Sequence, residues 1–273
     1  MDAGVACALV DGVVDLERYP VTALDSPKAR AVIDEHAAAL RDRGVSVLPG
    51  FVTPAAIAAM VDQSDAVAPA AHHQDVQGTP YLELPDESAW PADHPRRTWT
   101  RSSVHTIAYD QLDESSTLRA LYEWDALLDF LARVLGRSPL YRYADPLGAL
   151  NLAVMVDGDE LGWHYDQTDF VVSLAIQSSE KGGDFENVAN LRTSDDERYD
   201  NVAQVLAGHA NDRVVVEPMT PGTLMIFEGR RSLHRVTPIH GDRPRYVGLL
   251  GYDTKPGTMS SELLKLVRYG RAT

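Results

Sequence analysis

The sequence is poor in cysteine, in positive charge and in long apolar runs. Cys7 is its only cysteine, which excludes an internal disulfide and a zinc site built from thiolates. Its 25 Lys and Arg face 40 Asp and Glu, and the resulting charge of −15 disfavours nucleic acid, whose binding depends on basic side chains. No window approaches the roughly 20 apolar residues of a membrane span. A metal site in this chain must therefore use His, Asp and Glu.

The N-terminus also lacks the pattern of an export signal. Residues 1–20 contain an early acidic residue, Asp2, and neither a basic region nor a long apolar run. We therefore expect a cytoplasmic protein with a small-molecule substrate and no membrane partner. The length of 273 residues and the 44% apolar content fit one folded domain over residues 1–273. Nothing in the sequence specifies the oligomeric state.

The two halves of the chain differ in their hydrophobic patterns. Residues 1–139 are mainly helical in periodicity, including one strongly periodic segment at 116–136, and they contain a proline-rich, charged stretch at 83–98 that is typical of an irregular connection or lid. Residues 140–254 hold short β-rich runs separated by Gly, Pro and Asp, which predicts an antiparallel sandwich or barrel. Residues 255–273 form a C-terminal segment. We expect an α+β protein whose helices pack against this β core.

A histidine and a carboxylate stand one residue apart before an apolar run. Residues 162–170 read "GWHYDQTDF", which contains His164 and Asp166. In a strand these two side chains would point to the same face and Tyr165 to the other. That arrangement suits a shared metal ion, and it also suits a buried hydrogen-bonded pair.

Two later residues turn this pair into a pattern. His234 lies in "SLHRVTPI", and Arg245 follows eleven positions later in "GDRPRYVGLL". Two imidazoles and one carboxylate are the ligand set of the non-haem Fe(II) oxygenases, in which further coordination positions stay open. An arginine at the start of an apolar strand needs an anionic partner, and a guanidinium binds a carboxylate through two parallel hydrogen bonds. The pattern favours iron with a dicarboxylate co-substrate.

These residues resemble the signature of the Fe(II)/2-oxoglutarate-dependent dioxygenases, which is His-x-Asp, a distal His and an Arg about ten or eleven residues beyond it. Further stretches, among them "GGDFENVANLR", are similar to the bacterial branch that hydroxylates or halogenates free amino acids. The resemblance implies a double-stranded β-helix (the jelly-roll, cupin-like core) with flanking N-terminal helices. It makes His164, Asp166 and His234 ligands of Fe(II), and it makes Arg245 the residue that binds the distal carboxylate of 2-oxoglutarate. Dioxygen is the remaining co-substrate, and no catalytic residue beyond the metal ligands is expected.

The same resemblance bears on the reaction and on the substrate. Halogenases of that branch have glycine in place of the aspartate, so Asp166 implies hydroxylation. Arg101 aligns approximately with a residue that binds the substrate carboxylate in lysine-acting relatives, and Tyr269 lies near an aromatic that closes their pocket. Leu161 and Gln167 stand where those relatives have a His and an Asp around the side-chain amine. We therefore expect a free amino acid with a neutral side chain.

Other readings of the same residues stay open at this point. The same iron chemistry could give desaturation or ring closure of a natural-product intermediate, and a β-barrel binding module could hold a metal for structure alone. Three protein ligands favour an open catalytic centre, since closed structural sites usually have four. Six further histidines have no partner at ligand spacing, and we interpret them as surface or structural: His72, His73, His94, His105, His209 and His240.

Overall fold

The structure is a computed structural model and describes residues 10–273, so Cys7 and the start of the N-terminal segment lie outside the described residues. The α-helices are α1 (Pro27–Arg43), α2 (Pro54–Val67), α3 (Thr117–Glu123), α4 (Asp125–Leu135), α5 (Tyr199–Leu206) and α6 (Glu262–Tyr269). The strands are β1 (Val45–Leu48), β2 (His72–Gly78), β3 (Thr100–Ile107), β4 (Tyr141–Arg142), β5 (Leu150–Met155), β6 (Glu160–His164), β7 (Val171–Gln177), β8 (Phe185–Val188), β9 (Val215–Glu217), β10 (Leu224–Phe227), β11 (Leu233–Val236), β12 (Arg245–Leu250) and β13 (Tyr252–Asp253).

One 11-stranded antiparallel sheet curls into an almost closed barrel. Its strand order is β1-β10-β7-β12-β5-β3-β6-β11-β8-β9, with β2 added to β3, while β13 and β4 form a separate pair. This arrangement matches the double-stranded β-helix, so the predicted fold is confirmed. In the described residues, no helix combines the length and the apolar character needed to cross a membrane.

The β core is larger than the expected range of residues 140–254. Strands β1, β2 and β3 come from the first half of the chain and join the same sheet. Strand β2 has the sequence "HHQDVQG", in which apolar side chains do not alternate with polar ones, and most of it is exposed. A strand of this kind is stabilised by pairing with β3 over its whole length, a long-range contact that local periodicity does not reveal.

Local signals explain where the helices begin and end. The Ser26 hydroxyl accepts a hydrogen bond from the Ala29 N–H at 3.1 Å and caps α1, a contact worth about 1 kcal/mol. Gly136 ends α4 in the left-handed region, with φ of 61°. The periodic segment at 116–136 is two helices, because Trp124 takes an extended conformation between α3 and α4. Both helices bury apolar faces against the sheet.

The sheet separates two apolar cores, and alternation along each strand decides which side chain joins which core. In β7, Val172, Leu174 and Ile176 face the N-terminal helices in the larger core. Residues of opposite parity in neighbouring strands, such as Ala153 in β5 and Val247 in β12, face the barrel interior. The interior is therefore lined by a smaller apolar core, and the metal-ligating side chains lie at its edge.

Candidate metal centre and its surroundings

The structure brings His164, Asp166 and His234 together. His164 is the last residue of β6, and His234 in β11 lies directly opposite it in the antiparallel register. Asp166 lies two residues past the end of β6, in a loop. One ligand atom from each of the three residues lies within 4.8 Å of the others. The sequence analysis placed His164 and Asp166 in one strand, but the strand ends at His164, so alternation does not determine the direction of Asp166.

Both imidazoles are oriented by backbone carbonyls. The His164 Nδ1 lies 2.7 Å from the Gly162 oxygen, and the His234 Nδ1 lies 2.9 Å from the Ser232 oxygen. Because Nδ1 donates its proton there, the Nε2 lone pair of each neutral ring is available to a metal. The two Nε2 atoms face Asp166, at 3.9 Å from Oδ1 for His164 and 3.3 Å from Oδ2 for His234.

The Asp166 carboxylate occupies space left by a glycine. Its backbone N–H donates to the Gly229 oxygen at 3.1 Å, and a Cβ at position 229 would overlap Oδ2. Oδ2 is buried and has no hydrogen-bond partner within residues 10–273. A buried carboxylate oxygen without a partner is costly, whereas a cation beside it would remove that cost. The oxygen and the two imidazole nitrogens form a donor set that fits Fe(II).

Burial keeps the imidazole of His164 neutral. Loss of solvent and repulsion from His234 and Arg268, against the attraction of Asp166, together lower the pKa of His164 to about 4. A neutral imidazole is the form that binds metal, so this ring is ready to act as a ligand throughout the physiological pH range.

Arg245 is a buried cation that has no anionic partner among residues 10–273. It begins β12 opposite Met155, is only 8% exposed, and has its nearest polar contact at the Met155 sulfur, 3.7 Å from Nη1. Burial lowers its pKa to about 10, and Asp184 opposes this only through a longer-range attraction. Gly183 leaves room for the side chain, since a Cβ there would lie 2.8 Å from the Arg245 Cδ. The guanidinium faces the barrel interior, where an anionic ligand would neutralise it.

A β-bulge places Leu161 on the inner face of the barrel. His234 pairs with His164, but Val236 pairs with Leu161, so β6 contains one residue more than β11 over this interval. Leu161 consequently packs against the interior apolar core together with Val236, while Trp163 points to the outside, under the guanidinium of Arg235. Simple alternation would have put Leu161 on the face opposite His164.

Gln167 and Arg101 lie apart from the three ligands. Gln167 is exposed, in a loop held by Arg230, which donates to the backbone oxygen of Gln167 and to the Asp169 carboxylate. Arg101 lies on the outer face of β3, where its guanidinium donates to both carboxylate oxygens of Asp75 at 3.0 and 2.9 Å. Its Nη1 is also 3.5 Å from Glu160. The structure therefore does not bring Arg101 together with the metal ligands, and its predicted role stays untested.

The C-terminal helix α6 contains Tyr269, which was predicted to lie near the site, and Arg268, which was not. Tyr269 is buried, and its hydroxyl donates to the Asn151 side-chain oxygen on β5. The preceding residue, Arg268, forms no ion pair within residues 10–273, yet its charge lowers the pKa of His164 and counteracts the rise in the pKa of Tyr143. Tyr143 also feels the charge of Asp166. These effects put the guanidinium within electrostatic reach of the metal centre, and its position in the last turn of an amphipathic helix was the available signal.

A comparison with family models gives one match, Halogenase D, over residues 86–262. The chain belongs to the Halogenase D family. It is accordingly an Fe(II)/2-oxoglutarate-dependent oxygenase, and the predicted enzyme class and its requirement for Fe(II), 2-oxoglutarate and dioxygen are confirmed. None of the curated proteins compared with this Halogenase D chain is significantly similar to it.

Solved structures show the same fold for this Halogenase D chain. It is similar to AviO1 from Streptomyces viridochromogenes Tue57 (17% identity, TM-score 0.55, covering 84% of this chain and 97% of the other). It is also similar to the epimerase SnoN in complex with Fe³⁺, alpha ketoglutarate and nogalamycin RO (16%, 0.54, 85% and 93%). A third is EctD from S. alaskensis with 2-oxoglutarate and 5-hydroxyectoine (18%, 0.51, 80% and 75%). At these identities the likeness concerns the fold alone.

Proposed function

We propose that the protein hydroxylates an unactivated C–H bond of a free amino acid, with Fe(II) bound by His164, Asp166 and His234 and 2-oxoglutarate bound by Arg245. One observation carries the proposal. Two imidazole lone pairs converge on a carboxylate, and a buried guanidinium faces the same interior. Within the part of the chain that the structure describes, one oxygen of that carboxylate has no hydrogen-bond partner and the guanidinium has no counterion. Fe(II) would supply the positive charge that the histidine and aspartate donor set needs, and 2-oxoglutarate would supply the negative charge that the guanidinium needs.

The chain's own residues have positioning roles in this reaction. Fe(II) with 2-oxoglutarate and dioxygen supplies the oxidant that breaks the C–H bond. His164 and His234 are fixed by their Nδ1 hydrogen bonds, so that both Nε2 atoms address one point. Arg245 can bind the distal carboxylate of 2-oxoglutarate through two parallel hydrogen bonds. Leu161 and Val236 form part of an apolar wall that excludes water. Proton transfer by a separate acid or base is not required.

Asp166 favours hydroxylation although the family is named after a halogenase. The halogenases that the sequence resembles have glycine at this position, which leaves a coordination place for chloride. Here the carboxylate is present, and Gly229 provides the space that it occupies. The presence of the aspartate and of the space for it therefore favours hydroxylation of the substrate over halogenation.

The carboxylate of the amino acid is bound by Arg268 in this proposal. The guanidinium of Arg101 already donates to both oxygens of Asp75 on the outer face, so binding a substrate there would mean breaking an existing ion pair. Arg268 has no acidic partner within residues 10–273 and its charge reaches His164. A guanidinium without an acidic partner in the described residues, within electrostatic reach of the metal centre, suits a substrate carboxylate.

The substrate side chain is neutral in this proposal. The inward-facing Leu161 provides an apolar contact, and Gln167 in the loop after β6 carries no charge. A cationic side chain such as that of lysine would lose its hydration there without gaining an anionic partner. Tyr269 contributes an aromatic wall near Asn151.

A substrate panel tests the reaction. Purified protein is supplied with Fe(II), 2-oxoglutarate, ascorbate and single free amino acids, and succinate and products are measured by mass spectrometry. We expect a neutral amino acid to gain one oxygen atom, with lysine as a poor substrate. Lysine as the best substrate would contradict the neutral side chain, and a product that lacks two hydrogens would indicate desaturation or cyclisation.

Two arginine variants test the substrate anchor. We expect Arg268→Ala to raise the KM for the amino acid by about 100-fold, because a charge-assisted contact of roughly 2–3 kcal/mol is lost. The matched variant Arg101→Ala should change that KM by less than about threefold. The KM for 2-oxoglutarate is the control and should stay unchanged in both. The reverse order of effects would restore Arg101 as the anchor.

A further inference from the structure

A second group of two histidines and one aspartate lies on the outer face of the barrel. His73 in β2 and His105 in β3 are direct cross-strand partners, and their rings stack with centroids 4.1 Å apart and planes at 12°. Asp159 comes from the turn before β6. One ligand atom from each of the three residues lies within 4.8 Å of the others. The register of the hairpin thus assembles donors from three distant parts of the sequence.

The Asp159 carboxylate is fixed in place. It is only 3% exposed. Oδ2 accepts a hydrogen bond from the Val156 N–H at 2.9 Å and lies 3.1 Å from the His105 Nδ1. Oδ1 accepts from the Ser103 hydroxyl and lies 3.7 Å from the His73 Nε2. A carboxylate held this way would keep its position when a metal approaches from the solvent side.

The histidines give a cation access from solution. The side chain of His73 is 46% exposed and that of His105 is 26% exposed. Arg101 on the same face is paired with Asp75, and the chain as a whole is acidic, with a charge of −15. Electrostatics in this region therefore do not oppose the approach of a dication.

This cluster is separated from the centre described above by the sheet itself. Val104, which lies between Ser103 and His105 in β3, packs in the interior core. Its neighbours on either side must therefore point outward. The two histidines consequently share a face with Arg101 and Asp75, and neither can reach His164.

We propose that His73, His105 and Asp159 form a second metal site, which binds a divalent transition metal such as Zn²⁺ with water in the remaining positions. Two imidazoles and a carboxylate suit Zn²⁺, Cu²⁺ or Ni²⁺ better than Mg²⁺ or Ca²⁺, which prefer oxygen ligands alone. Strand β2 pairs only with β3 and lies at an edge of the sheet. A metal at this position would join that edge strand to β3 and to the turn before β6. The site is independent of the proposed function.

Zn²⁺ titration of protein without the inner ligands isolates the second site. The double variant His164→Ala/His234→Ala removes two of the three inner donors, and metal-free protein is titrated with Zn²⁺ by calorimetry. We expect one Zn²⁺ per chain. Adding His73→Gln or His105→Gln should weaken this binding by at least about tenfold. The control His209→Gln, an exposed histidine in the loop after α5, should leave it unchanged.

Two outcomes would overturn the proposal. One is the absence of a Zn²⁺ site in the inner double variant, and the other is undiminished binding after His73→Gln and His105→Gln. Should a cluster variant fail to fold, electron paramagnetic resonance of the double variant loaded with Cu²⁺ decides the matter without it. Coupling to two imidazole nitrogens supports the site, and coupling to one or none contradicts it.

Discussion

Two clusters of this protein have the same composition, two histidines and one aspartate, and differ in how the carboxylate is satisfied. In the inner cluster an oxygen of Asp166 is buried without a hydrogen-bond partner within residues 10–273, and both imidazoles are held by backbone carbonyls. In the outer cluster the Asp159 carboxylate accepts hydrogen bonds from the Ser103 hydroxyl and the Val156 N–H, and it lies beside the His105 Nδ1. The inner carboxylate contributes little to folding and is available to a metal. The outer carboxylate stabilises the fold through these hydrogen bonds, and in the proposed second site it also binds a metal.

Exchanging the two aspartates for alanine should separate these roles most strongly. Asp166→Ala removes a ligand and an unpartnered oxygen, so we expect iron affinity to fall at least about 100-fold and turnover to be lost, with the free energy of unfolding unchanged or slightly raised. Asp159→Ala should cost about 3 kcal/mol of unfolding free energy, since several buried hydrogen bonds disappear, while the inner site still binds iron. Denaturant unfolding and iron titration measure both. Equal effects on stability would abolish the distinction.

The two arginines repeat the comparison for cations. Arg245 is buried and has no carboxylate partner in the described part of the chain, whereas Arg101 is partly exposed and paired with Asp75. We expect Arg245→Ala to raise the KM for 2-oxoglutarate by about 10²- to 10³-fold, as for the loss of one partner of a buried ion pair. Arg245→Lys should recover only part of the affinity, because lysine lacks the two parallel donors. A similar KM in Arg245→Ala and Arg101→Ala would remove Arg245 from the co-substrate site.

Acid should lower the free energy of unfolding of the metal-free protein, because His164 in the inner cluster becomes protonated more easily when the chain unfolds. The folded pKa of His164, about 4, lies below its ordinary value of 6.5. The unfolded chain therefore binds more protons between these values, and stability falls as the pH decreases from about 6.5 to 4 by up to about 3 kcal/mol. Above pH 6.5 this contribution is complete. The difference between the wild type and His164→Gln in urea unfolding at several pH values measures it, and parallel stability curves would contradict it.

Two glycines give the smallest and most local comparison. A Cβ at Gly229 would overlap the Asp166 carboxylate, whereas a Cβ at Gly78 in β2 would lie 3.4 Å from the Glu83 oxygen, close to an ordinary contact. We expect Gly229→Ala to weaken iron binding by about tenfold because it displaces the ligand, and Gly78→Ala to have no such effect. Iron affinity measured by anaerobic titration checks this pair. Unaltered affinity in Gly229→Ala would mean that the carboxylate can move without loss.

The inner cluster could be predicted because its residues carry local signals. His164 and Asp166 stand one residue apart, and the fixed distance from His234 to Arg245 places the arginine at the start of an inward-facing strand. Those features depend on strand alternation and on the chemistry of the ligands, both of which can be read from short stretches. The fold followed from the same stretches through the family resemblance.

The other features of the molecule could not be predicted from short stretches, because they depend on pairing and packing between distant parts of the chain. His73, His105 and Asp159 are far apart in the sequence, and only the pairing of β2 with β3 makes the two histidines neighbours. They were interpreted as surface or structural for that reason. The orientation of Arg101 likewise depends on which face of β3 is turned inward, and that is decided by partners elsewhere in the chain. Arg268 was missed because its significance comes from where α6 packs, against β2 and β3.

The extra residue in β6 has a practical consequence for anyone who redesigns this protein. Between Leu161 and His164 the strand is out of phase with the usual two-residue repeat, so Leu161 packs against the interior apolar core and Trp163 is buried on the other side of the sheet, under Arg235. A library that randomised every second residue outward from His164 would diversify position 162 and leave 161 untouched. Mutagenesis aimed at substrate range should therefore be centred on 161. Deleting one residue between Leu161 and His164 would restore the two-residue repeat with Leu161 still on the face of His164.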